Sequence, residues 1–111
     1  MFFATTKHLE YKDILNNIDN IYAHTKKQGL SETLVEHSEL TVKYFNKIIE
    51  VKHLDIVFNN FKEKFFKNCS NECVELWKEI IVNTVYLHDA GKSNPFFQKE
   101  KIQYNFFFSS I

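Results

Sequence analysis

The 111 residues, 44% hydrophobic and 16% aromatic, supply enough apolar surface for one core and too little chain for two domains joined by a linker. Fourteen Lys balance fourteen acidic residues and Arg is absent, which excludes a uniformly basic face and leaves any nucleic-acid affinity local. No run approaches the roughly 20 apolar residues of a membrane span, and Met1 to Thr6 lack the charged start and long apolar core of a secretory signal, so a cytoplasmic chain without membrane contact is expected.

Only two Gly and one Pro interrupt apolar residues that recur at three- and four-residue spacing, a pattern that predicts an all-α fold. A first helix is expected within residues 8 to 23, with Leu9, Ile14, Ile18, Ile21 and Tyr22 largely on one face. Gly29 breaks that pattern. Ser31 or Thr33 can cap a second helix, Thr33 standing at capping-box spacing from Glu36. The inner face of that helix would carry Leu34, His37, Thr41, Tyr44 or Phe45, and Ile48.

A third helix is predicted around residues 54 to 66, with Leu54, Val57, Phe58, Phe61 and Phe65 as a packing stripe. Cys69 and Cys73 follow, four residues apart, and read as reduced structural thiols. Half of a zinc site with His53 as a third ligand is the alternative, but structural zinc takes four protein ligands and no fourth is evident. Ser70 or Asn71 caps a fourth helix through Trp77, Ile80, Ile81, Thr84, Val85 and His88, with Gly91 suited to a left-handed cap. Asn94 and Pro95 form a helix-start pair for a fifth, and Tyr104 to Ile111 make an apolar ending.

His88 and Asp89 stand together at the expected end of the fourth helix. An imidazole and a carboxylate side by side suit a borderline divalent metal, although a His on an apolar helix face is more often a hydrogen-bonded core residue. A second inward His, His37, lies on a separate helix, and two packed helices can bring it within coordination reach of the pair.

Ala23-His24-Thr25, Gly29 and Glu32-Thr33-Leu34-Val35-Glu36-His37 resemble the opening motif of one family, the HD-type nuclease domain of the CRISPR-associated nuclease-helicase of type I interference. Leu87-His88-Asp89-Ala90-Gly91-Lys92 looks like its HD motif, and Asn94-Pro95-Phe96-Phe97-Gln98 resembles the segment that follows. The HD dipeptide marks only a superfamily of phosphohydrolases; the other two segments narrow the resemblance, which spans about residues 22 to 98, to the CRISPR branch.

The resemblance implies an HD-domain-like helical bundle, with residues 1–111 as the N-terminal part of the nuclease domain. It makes His37, His88 and Asp89 ligands of a divalent metal ion, drawn from Mn, Ni, Co, Fe or Mg. Asp89 and Lys92 become catalytic, Lys92 lying near the scissile phosphate or its leaving group. His24 and Gln98 become substrate contacts, His24 equally readable as a brace for its loop and Gln98 as a surface residue. The implied partners are single-stranded DNA and a CRISPR helicase and effector complex, in cis or in trans.

The family completes its site with later histidines and a further carboxylate, whereas here no His or Asp follows Asp89 and Glu100 is the last acidic side chain. Three ligands can hold one ion but not the bridging set of a two-metal site, so an incomplete bundle from a truncated or split reading frame is expected. Another HD phosphohydrolase acting on nucleotides, or a catalytically inert helical remnant serving as a binding module, are the alternatives.

Overall fold

Local capping chemistry decides where the helices begin. In the computed structural model, which describes residues 2–16, 18–25, 31–93 and Gln98, three α-helices follow one another: α1 Leu34–Val51, α2 Leu54–Phe65 and α3 Asn71–Tyr86. The Thr33 hydroxyl accepts the Glu36 amide at 3.1 Å and donates to the Glu36 carboxylate at 3.0 Å, which satisfies one of the orphan donors at the start of α1. Ser70 does the same for α3, its hydroxyl accepting the Cys73 amide at 3.2 Å. The all-α expectation holds, with one addition: β1 Tyr22–Thr25 pairs antiparallel with β2 Ser31–Thr33.

The expected first helix does not form. Residues 11–13 and 18–20 make single 3-10 turns, and Tyr22 enters β1 instead. Asn16, Asp19 and Asn20 explain the difference, because short polar side chains offer the backbone local hydrogen bonds that compete with a helix ladder. The helix expected from Asn94-Pro95 lies outside the described residues, as do Gly29 and the apolar ending.

Two compact units make up the chain: Met1–Leu9 with Thr41–Tyr86, and Glu10–Leu40 with Leu87–Ile111. In the first, Phe3, Ile49 and Val82 are buried, and Phe2, Phe45, Leu54, Phe58 and Ile81 pack against them. Phe2 lies at 5.5 Å from the Phe58 ring and 5.7 Å from that of Trp77. The N-terminal segment is also fastened by polar bonds, the Phe2 amide donating to Asp55 at 2.7 Å and the Leu9 amide to Asn83 at 2.7 Å. His53 joins α1 to α2 in a left-handed backbone conformation, φ 55°.

The packing stripes sit partly where the spacing placed them. Leu54 and Phe58 of α2 face the core, but Val57, Phe61 and Phe65 are exposed. In α1 the buried positions are Leu34, Ser38 and Ile49, with Phe45 packed beside the core, while Tyr44 and Ile48 are exposed. In α3, Ile80 and Thr84 face outward and Val82 and Tyr86 are buried.

The second unit is built around Tyr11, Ala23 and Leu34, all buried. The Leu34 amide donates to the Ile21 carbonyl at 2.7 Å, tying the first turn of α1 to the segment entering β1. Within the ribbon Tyr22 stands opposite Thr33 and His24 opposite Glu32, a register shift that leaves Ala23 as the extra residue of a bulge. Ser38 donates its hydroxyl proton to the Tyr11 oxygen at 3.3 Å.

Candidate metal centre

His37 lies in the first turns of α1, so the cap at Thr33 and the bond from Leu34 to Ile21 fix where its ring begins. His88 and Asp89 come from the turn that follows α3, which ends at Tyr86. His88 therefore does not extend the buried face of that helix; its side chain is 43% exposed. Gly91, expected as a left-handed cap, sits inside the 3-10 turn Ala90–Ser93 with open space where a Cβ would be.

These segments converge. One ligand atom from each of His37, His88 and Asp89 lies within 4.8 Å of the others. Asp89 Oδ2 stands 2.6 Å from His37 Nε2 and 3.0 Å from His88 Nε2, and the two rings are 5.7 Å apart between centroids. Around an octahedral ion with bonds of about 2.1 Å, adjacent ligand atoms are about 3.0 Å apart and opposite ones about 4.2 Å. The separation of His88 from Asp89 matches an adjacent pair, and that of His37 from Asp89 would have to widen slightly to do so. Two imidazoles and a carboxylate are also a donor set that borderline divalent metals accept.

Lys92 reaches Asp89 Oδ2 with its ammonium at 3.6 Å. Asp89 Oδ2 thus faces three nitrogen groups, from His37, His88 and Lys92. His37 Nδ1 stands 2.7 Å from Glu32 Oε1, and that carboxylate, buried in the middle of β2, is one that neither spacing nor motif marks as a site residue. The signal that could have found it is an acid five residues before a candidate metal-binding His, across a predicted helix cap.

Tyr11 adds a phenol to the surroundings. Burial pushes its hydroxyl above the ordinary value of 10.0; the Ser38 hydrogen bond acts in the opposite sense, and the negative charge of Asp89 adds to the rise.

The remaining candidates fall in different places. Gln98 accepts the Tyr22 amide and donates to the Tyr22 carbonyl, both at 2.8 Å, and donates also to the Lys92 carbonyl. Its amide thereby joins β1 to the end of the turn that carries Lys92. The backbone of His24 pairs opposite Glu32 in the ribbon; its side chain lies outside the described residues. Cys69 and Cys73 are free and exposed, and hydrogen bonding to Cys73 pushes the Cys69 thiol above its ordinary value, which favours the protonated form over a metal-binding thiolate. His53, the third member of that alternative, is exposed at the start of α2.

No helix among the described residues is long and apolar enough to cross a membrane. Comparisons with protein-family models, with curated proteins and with solved structures found no match to this chain. The family resemblance stands on the sequence motifs, and the case for a metal stands on the geometry of three side chains.

Proposed function

We propose that His37, His88 and Asp89 bind a divalent metal ion and that the chain serves as part of an HD-type, metal-dependent phosphodiester hydrolase cutting single-stranded DNA in CRISPR antiviral defence. One observation carries the reading: donor atoms from residues 37, 88 and 89 come within 4.8 Å of one another, at the three positions that the motif resemblance singles out. A helicase and effector complex, in cis or in trans, would deliver the strand.

A bound ion supplies a water of lowered pKa as nucleophile and a positive charge for the leaving oxygen. The chain's residues do the rest. His37 and His88 present nitrogens from two separate segments, and Asp89 offers the carboxylate oxygen between them. Lys92, 3.6 Å from that oxygen, adds a cation on which a phosphate oxygen can rest as its charge grows.

A second reading has its own support. Asp89 is already faced by His37, His88 and Lys92, so the cluster can be a self-compensating ion-pair network in a catalytically inert binding module. Titration of the chain with manganese, nickel and magnesium separates the two, following melting temperature and cleavage of single-stranded DNA, with His88→Ala and Asp89→Ala as controls. The metal reading expects a rise that both substitutions abolish, on the order of 2.7 kcal/mol of stabilisation at a hundredfold excess over Kd. A melting temperature indifferent to all three ions establishes the inert module.

A further inference from the structure

We infer that Glu32 is the positioning residue of this metal centre, holding the His37 ring so that Nε2, and not Nδ1, is presented to the ion. The inference rests on the metal reading and extends it to a residue outside the coordinating set.

A histidine has two nitrogens and can ligate through only one at a given ion. Which one serves is set by the hydrogen bond made at the other, so a carboxylate at Nδ1 fixes both tautomer and ring orientation. Glu32 Oε1 is 2.7 Å from His37 Nδ1, a distance at which the ring N–H donates to the carboxylate. The opposite edge of the same ring carries Nε2, and that nitrogen faces Asp89 at 2.6 Å. Glu32, His37 and Asp89 therefore follow one another as carboxylate, imidazole and carboxylate, with Nε2 on the Asp89 side of the ring.

The backbone around Glu32 is built to hold that order. Glu32 stands opposite His24 in the ribbon, and two residues later the Leu34 amide is bonded to Ile21, so the backbone is held on both sides of the junction where β2 runs directly into α1. The side chain is only 8% exposed, and a carboxylate so buried is costly unless it is hydrogen-bonded to a partner of opposite charge or to a donor. Glu36 provides an internal contrast. It is adjacent to His37 in sequence, but it is exposed and its carboxylate accepts the Thr33 hydroxyl at the helix cap. Of these two acids near His37, the distant one in sequence meets the ring.

The test uses the full chain with Glu32→Ala and Glu32→Gln, manganese titrated by calorimetry, and circular dichroism to confirm that each variant folds. Glu32→Ala is expected to weaken manganese binding 10- to 100-fold. Glu32→Gln keeps a carbonyl oxygen that can accept from Nδ1–H, so it restores part of that loss. In the zinc-loaded chain, long-range proton–nitrogen spectra of His37 should show a protonated Nδ1 and a coordinated Nε2. Wild-type affinity in a folded Glu32→Ala chain, or coordination through Nδ1, overturns the assignment of Glu32 while leaving the metal centre in place. An unsubstituted chain that binds neither manganese nor zinc overturns the metal reading and this inference with it.

Discussion

Asp89 is the residue on which the candidate centre turns, since both imidazoles and the Lys92 ammonium meet at one of its oxygens. Tyr11 is informative for a different reason. Its hydroxyl is held above the ordinary value of 10.0, chiefly by burial, so the unfolded chain loses the phenolic proton at lower pH than the folded one. The stabilisation from this group is complete below the unfolded value near 10 and is lost as pH rises through the folded value. Tyr11→Phe should therefore flatten part of the alkaline decline in stability, read by urea unfolding at intervals from about pH 9 upward. At neutral pH the same change should cost about 1 kcal/mol, because Ser38 loses the oxygen to which it donates. A variant that declines as steeply as the parent above pH 10 would remove Tyr11 from the explanation.

At the scale of elements, caps and junctions offer the sharpest tests. Ser70→Ala should destabilise the chain by about 1 kcal/mol, by leaving the Cys73 amide without its acceptor at the start of α3. His53→Gly should be neutral or stabilising, by up to about 1 kcal/mol, since a left-handed backbone at φ 55° suits a residue without a Cβ. Both are checked by the shift in denaturant midpoint at constant slope. Elements of this kind are the legible part of the sequence: of the cap candidates Ser31 or Thr33 and Ser70 or Asn71, Thr33 and Ser70 accept the helix amides, the apolar spacing places the three α-helices, and the motifs point to His37, His88 and Asp89 as one cluster. Three things were hidden, each for a physical reason. The Asn- and Asp-rich run after Tyr11 imitates helical apolar spacing while disfavouring the helix. Tyr44 with Ile48 and Phe45 with Ile49 are two equally apolar stripes on α1, and only tertiary packing chooses the second. Glu32 is paired with His37 through a strand, a cap and a helical turn, a path with no fixed period.

For the whole molecule, the first unit depends on two aromatic residues beside the start of the chain that the sequence presents only as a poor secretion signal. Phe3 is buried against Phe45 and Phe58, with ring centroids at 5.6 Å and 5.0 Å. Phe3→Ala should cost about 3–5 kcal/mol by opening a cavity in the core, a large share of the 5–15 kcal/mol that holds a typical domain together. Urea unfolding of the two proteins measures it, and a loss below about 1 kcal/mol would show that this segment is not an integral part of the core.

The division of the chain has a bearing on its synthesis. The unit that holds the cluster is left at Leu40 and re-entered at Leu87, so everything between belongs to the other unit. As the nascent chain leaves the ribosome, Glu32 and His37 emerge early and wait through about 50 residues before Asp89 can reach them, a closure that costs on the order of 3–4 kcal/mol in chain entropy. A chain halted before residue 88 lacks both His88 and Asp89 and cannot assemble the cluster, whatever part of the first unit it has already made. On the proposed metal reading, affinity for the ion arises only after His88 and Asp89 have left the ribosome and joined His37.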